Sequence, residues 1–301
     1  MAQGSQSDSS YIADLLRGPE ISFSFEFFPP KDEAGEEVLW RSISELEPLS
    51  PTFVSVTYGA GGTTRDRTVA ITERIASDTT MVPMAHLTCV GHTAEEIGAI
   101  LNDLEAAGVQ NVLALRGDPA AGPGAEWVST SGGFDHTDEL IAYIRETSQL
   151  SIGVAAFPEG HIQADSLERD TEVLKTKRDA GAEFAITDMV LRASDYFDLV
   201  ARARAMGVDI PIIPGIMPIL NYQAMSKMVE LSGREMPQEV LDRIEPLRDD
   251  PAALRAEGIK ISTELCDELL EGGAPGLHFF TLNRSKATRE IFAALRCNQT
   301  D

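Results

Sequence analysis

Six apolar runs in this 301-residue chain end on side chains that can hold a charge, a proton or a hydrogen bond. Glu26 stands in SFSFEFF, Thr57 follows FVSV, and His86 and Thr88 lie in MAHLTC. Arg116, Gly117 and Asp118 end VLALRGD, Asp188 lies in FAITDMV, and Asn283 and Arg284 follow LHFFTL. Carboxylate, imidazole and guanidinium groups gathered in one place could exchange protons with a substrate and hold a polar or anionic ligand. Glu26 is the sharpest case. Phe23, Phe25 and Phe27 alternate with Ser22, Ser24 and Glu26. A strand here puts the phenylalanines on one face and the carboxylate on the other.

Each residue also has a plain reading. Glu26 could pair with Arg116 as a structural ion pair, His86 could be a core histidine, and RGD could be a turn with Asp118 as a cap. The glycines of TYGAGGTTRDRT (57–68) fit a tight loop leading into a helix capped by Thr63 or Thr64. They equally fit close approach of a flat ligand. Lys175 and Lys177 fit a solvated helix face. Six polar strand ends taken together argue for a site.

A closed barrel would bring those ends together. Strand candidates begin at SFSFEFF and continue with FVSVTY, MAHLTC, VLALRG, IGVAAF, FAITDMV, PIIPGIM and LHFFTL. Helix-period segments separate them, at 94–108, 138–148, 170–182 and 195–207, several closed by glycine. Strand alternating with helix implies parallel pairing through right-handed crossovers. Eight such units predict a single (β/α)8 barrel of the TIM type over 11–301, with residues 1–10 disordered and YIADLLRG as a short N-terminal helix. The region 220–260 reads as long and helical. A doubly wound open sheet is the rival, but its GxGxxG turn is missing after the first strand. In such barrels the reacting groups sit at the C-terminal strand ends.

Composition narrows the partners. The formal charge is -23, from 48 acidic and 25 basic residues, which argues against nucleic acid and against an anionic membrane surface. Three scattered cysteines suggest neither a disulfide framework nor a zinc site, and no metal is expected. The polar start MAQGSQSDSS lacks the plan of a signal peptide, so a cytoplasmic location is expected.

The blocks SFEFFPPK, FVSVTYGAGG, AHLTC, VLALRGDP, VAAFPEGH, AGAEFAIT, IIPGIMP and LHFFTLNRS run in this order over almost the whole chain. Together they resemble methylenetetrahydrofolate reductases of the bacterial type. The resemblance implies an FAD-containing barrel that uses NADH or NADPH. It would reduce 5,10-methylenetetrahydrofolate to 5-methyltetrahydrofolate for methionine synthesis, by ping-pong hydride transfer in one shared pocket. Glu26 matches the family's general acid, which protonates N10 as the five-membered ring opens to a 5-iminium cation. Its apolar neighbours would raise its pKa toward neutrality. Asp118 matches the aspartate that favours the iminium and contacts the pterin.

By the same matching, Thr57, Tyr58, Ala60, His86, Arg116, Gly117 and Asp118 would line the flavin. His161, Ala164, Asp170 and Lys177 would hold its ribityl, diphosphate and adenosine parts, and Arg284 would bind folate. The chain departs from the family at four places. Asp188 replaces a glutamine that contacts substrate and nicotinamide, Phe157 replaces a tyrosine near the flavin, and Thr176 replaces an arginine. A second folate-binding glutamine falls nearest Ala224, with Gln223 adjacent. Two other readings stay open: the same reaction by direct transfer with weak or no flavin, and a non-catalytic folate- or flavin-binding barrel. Retention of Glu26 with Asp118 speaks against the second of these. A homo-oligomer is expected, and no inhibition by S-adenosylmethionine through an added domain.

Overall fold

The computed structural model describes residues 10–58, 65–119, 122 and 125–298. Eight parallel strands close on one another in chain order, so the barrel replaces the open-sheet alternative. They are β1 (Ser22–Phe27), β2 (Phe53–Val56), β3 (Pro83–Thr88), β4 (Asn111–Leu115), β5 (Ser151–Ala156), β6 (Phe184–Met189), β7 (Ile212–Ile216) and β8 (Gly276–Phe280). A short helix, α1 (Ile12–Leu15), precedes β1. Outside lie α2 (Glu33–Leu46), α3 (Arg65–Asp78), α4 (Ala94–Ala106), α5 (Thr137–Thr147), α6 (Leu167–Ala180) and α7 (Ala193–Ala205). After β7 come α8 (Tyr222–Leu231), α9 (Gln238–Ile244) and α10 (Pro251–Glu271), and α11 (Ser285–Asn298) follows β8.

The region 220–260 is thus three helices. Gly233 turns the chain at φ +70° after α8, and a 3-10 turn over Glu245–Leu247 ends α9. Asp250 then caps α10, accepting from the backbone N–H of Ala252 and Ala253, with Pro251 in the first turn, where its missing N–H costs nothing.

Alternation along the strands makes two cores. Phe25, Phe27, Val54, Val56, Leu87, Val154 and Phe279 face outward and are buried under the helices. The interior half nearer the strand starts is filled by Phe53, Met84, Leu113, Phe184, Ile186 and Ile213, and α1 closes it with Ile12, Ala13 and Leu16. Gly153 makes room for this layer, since a Cβ there would lie 2.5 Å from the Phe184 ring. Asn111 fastens the plug. Its Oδ1 accepts from Ile12 N at 2.7 Å, and its Nδ2 donates to Ser10 O at 2.9 Å and to Pro83 O at 3.2 Å.

The barrel closes between its first and last strands. Ser24 pairs with His278 and Glu26 with Phe280. Above the ladder, Asn283 bonds both backbone groups of Phe28 at 2.8 Å, and Thr281 Oγ1 donates to Glu26 O at 2.6 Å. Asn111→Ala would leave Ile12 N–H and Pro83 C=O buried without their partner, at about 1–3 kcal/mol each. We expect a loss of about 2–6 kcal/mol in denaturant unfolding, with the far-ultraviolet spectrum of the native state unchanged.

Candidate active site at the barrel mouth

Interior positions nearer the C-terminal strand ends are polar. Ser24 and Glu26 come from β1, Ser55 from β2, His86 and Thr88 from β3, and His278 from β8, all buried. Four of these groups converge on a single carboxylate oxygen or stand one contact behind it. Glu26 Oε2 lies 3.3 Å from His278 Nε2 and 3.3 Å from His86 Nε2, and accepts from Ser55 Oγ at 3.4 Å. His278 Nδ1 is 2.8 Å from Ser24 Oγ. The His278 contact has hydrogen-bond geometry; His86 Nε2 is within ion-pair range but has no hydrogen-bond partner.

This corrects the expectation for Glu26. Burial does push its carboxyl up, but the His278 hydrogen bond and the two imidazoles together outweigh burial and hold it at about 2. Nor is Arg116 its partner. That guanidinium donates to Gln163 Oε1 at 2.7 Å and lies 4.9 Å from the Trp127 ring centre. His278 and the two serines did not stand out in the sequence. His278 lies two residues short of its strand end, but shares the inward parity of Gly276 and Phe280.

A second group gathers beyond β5. Lys177, buried, donates from Nζ to Ala155 O at 2.9 Å and lies 5.8 Å from the Phe157 ring centre. Burial pulls its pKa down to about 8 against the pull of Asp170. His161 meets Phe157 edge-on at 4.8 Å; burial lowers its pKa, as do Arg116 and Lys177. Burial raises Asp170, against Lys177 and a bond from the His161 backbone. Ala164 N donates to His161 O at 2.8 Å. Gly117 needs its residue type twice over: φ is +83°, and a Cβ would lie 2.6 Å from Val90. Asp118 beside it is half-buried. Thr57 offers its carbonyl to Thr68 Oγ1, and the Tyr58 hydroxyl lies 3.0 Å from His92 Nε2. Ala60, Thr63 and Thr64 lie outside the described residues.

Asp188 is tied down. A register shift between Ile186 and Met189 breaks the β6–β7 ladder at this point, as a bulge re-aims a side chain. Its Oδ1 accepts from Met189 N at 2.7 Å, and its Oδ2 lies 3.2 Å from Arg234 Nη2. Arg234, whose side chain is 4% exposed, also donates to Met189 O at 2.8 Å and faces Glu159 at 3.5 Å. Sequence reasoning passed over Arg234, which sits between α8 and α9 with no strand beside it. Gln223, Ala224 and Arg284 are exposed and are not drawn into either group. Thr176 is exposed as well, bonding back to Glu172 O within α6. Among the described residues no group of His, Cys, Asp and Glu is placed to hold a metal ion, and no helix is long and apolar enough to cross a membrane.

An α/β barrel whose mouth gathers a buried carboxylate, imidazoles and buried cations has the build of a barrel enzyme. The chain belongs to the methylenetetrahydrofolate reductase family, whose model matches residues 11–296. It is 36% identical over 272 residues to the Escherichia coli 5,10-methylenetetrahydrofolate reductase, covering 90% of each chain. Identity is 36% to Schizosaccharomyces pombe methylenetetrahydrofolate reductase 1 and 38% to the Arabidopsis thaliana NADH enzyme, each over 94% of this chain. The chain spans about half the length of those yeast and plant relatives, 48% and 50%. Among solved structures, a Clostridium thermocellum protein that binds two copies of 5-methyl-5,6,7,8-tetrahydrofolic acid matches with a TM-score of 0.62 at 14% identity. That match covers 95% of this chain and 98% of the other. At that identity the likeness is one of fold.

The Glu26 cluster has a consequence for acid stability. A carboxyl held at about 2 in the folded chain, against 4.5 without neighbours, adds stability that is fully present above pH 4.5. That stability is lost as pH falls toward 2. Its size is about 3 kcal/mol at 1.36 kcal/mol per pKa unit. Glu26→Gln should therefore flatten this part of the stability profile, read as the urea midpoint between pH 5 and 3. An unchanged slope would place the acid-sensitive groups elsewhere.

Proposed function

We propose that this chain is a flavoenzyme that reduces 5,10-methylenetetrahydrofolate to 5-methyltetrahydrofolate at the expense of NADH or NADPH. The observation that carries the reading is the Glu26 carboxylate, buried in the barrel with two imidazoles on one oxygen, in a chain of this family. The residues present fit FAD. Lys177 is a buried cation with donors beyond the one given to Ala155 O, which suits a diphosphate. Thr88 Oγ1 is buried without a hydrogen-bond partner, which suits a heteroatom of a flat ring. The conformation of Gly117 keeps a side chain from that surface.

When bound, FAD would accept two electrons from the nicotinamide and return them to the folate. Lys177, His161, Asp170 and Arg116 would hold its phosphate, ribityl and adenosine parts. Phe157, where the family has tyrosine, offers ring contact but no hydroxyl. Asp118 would face the cationic form of the opened folate and favour it. Asp188, held by Arg234, would present a fixed carboxylate edge to the two adjacent donors of the pterin. Glu26 would deliver the proton that N10 needs as its bond to the methylene carbon breaks.

The test separates the two halves of the reaction. The purified chain should be yellow, and its extracted cofactor should have the mass of FAD. NADH should bleach the protein anaerobically, and methylenetetrahydrofolate should restore the colour. Glu26→Gln should leave bleaching nearly unchanged and slow recovery by ~10²–10⁴-fold. Equal damage to both steps would make Glu26 structural. Colourless protein that still turns over would favour direct transfer, and protein that binds folate without turnover a silent barrel.

A further inference from the structure

Glu26 raises a difficulty for its own role. It rests as a carboxylate, so it has no proton to give until one reaches it from a neighbour. His278 is placed to supply it. The ring is completely buried, packed between Phe53 in near-parallel stacking at 5.7 Å and Phe280 edge-on at 5.6 Å. On β7, Gly215 stands opposite and brings no side chain. Both ring nitrogens are engaged along one line, Nδ1 with Ser24 Oγ and Nε2 with Glu26 Oε2. Among the described residues, the titratable groups that share this pocket are Glu26 of β1 and His86 of β3.

Ser24 can serve either state of the ring. Its hydroxyl has a second partner, the Leu277 carbonyl at 3.4 Å. Donating there, Ser24 Oγ accepts from Nδ1–H, and His278 carries protons on both nitrogens. Donating to Nδ1 instead, it leaves a neutral ring with Nε2–H toward Glu26. A ring that has given up its Nε2 proton keeps Nδ1–H on Ser24 Oγ, so the transfer itself moves neither hydroxyl nor ring. The hydroxyl rotates only when the ring takes its other neutral tautomer.

We propose that His278 is the positioning and proton-holding residue that acts through Glu26, with Ser24 as its anchor. This rests on the reading given under Proposed function. The Nε2 proton of the imidazolium passes to Glu26 Oε2, and the carboxylic acid passes its proton to folate N10. The N10–methylene bond breaks with its electron pair going to N10, and the N5 lone pair forms the iminium. His278 is left neutral, Glu26 is again a carboxylate, and the positive charge has moved from the ring to the substrate. His86 is the weaker candidate, because its Nε2 lacks hydrogen-bond geometry toward Glu26.

The experiment follows the recovery step by stopped flow from pH 5.5 to 8.5. In the wild type its rate should fall as pH rises. His278→Gln, which keeps a donor toward Glu26 but cannot titrate, should slow the step at least 10-fold and abolish that fall. His86→Gln should keep it. Ser24→Ala retains the imidazole and provides the answer if His278→Gln does not fold; it should lower kcat several-fold and displace the pH profile with KM unchanged. Independently, ring nitrogen NMR of the full chain labelled at histidine should show His278 titrating over the pH range of the rate profile. A profile unaltered in both His278→Gln and Ser24→Ala, or a His278 ring silent over that range, overturns the proposal. Absence of folate reduction in the wild type would overturn the reading it rests on instead.

Discussion

A charge inside a barrel of apolar side chains is tolerable only if other groups take over the work of water. Here a single oxygen, Glu26 Oε2, is met by two imidazoles and a hydroxyl drawn from three other strands. That requirement fixes the pairing of β1 on both sides. Glu26 must stand opposite Ser55, and Ser24 opposite His278. A slip of one residue in β1 would turn the carboxylate into the outer layer of phenylalanines and valines and break every one of these contacts.

The rest of the barrel is arranged around this. Its lower interior is closed by α1 and filled with Phe53, Met84, Leu113, Phe184 and Ile213, an apolar layer between the cluster and the Asn111 plug. The mouth above has two chemical sides. Strands β1, β3 and β8 supply the carboxylate and imidazoles and β2 the Ser55 hydroxyl, while the segments after β4 and β5 supply Arg116, His161 and Lys177. The carboxylate–imidazole cluster and the basic group are thereby kept on different strands. The bulge in β6 adds a third element, an aspartate clamped by a buried arginine from outside the strand set.

Much of this was legible in the sequence, for reasons that can be named. Strands and helices alternate with clear periods, and each strand predicted from residue type lies within a residue or two of the observed one. Parity alone put Glu26 on the face opposite Phe23, Phe25 and Phe27, and the closed barrel makes that face the inner one. The carboxyl's protonation was misjudged because its neighbours in sequence, Phe25 and Phe27, point away from it. The groups that govern it are remote, His278 being 252 residues distant. Arg234 was invisible for a similar reason: a lone arginine between helices gives no sign that it will be buried against Asp188. Local pattern reports which face a residue takes, but a charge's partners are set by closure of the whole chain.

That closure has a consequence for how the protein is made. The β1–β8 seam joins segments about 250 residues apart, so at about 5–20 residues per second β1 waits roughly 10–50 s for its second neighbour. Through that interval SFSFEFF is a strand with high β-propensity and an open edge, the kind of segment that pairs with copies of itself on adjacent nascent chains. Its interior-facing carboxylate is then the one formal charge in the run, and like charges stacked in register repel. Until the last strand arrives, the charge that the closed barrel must bury is the one that disfavours such pairing.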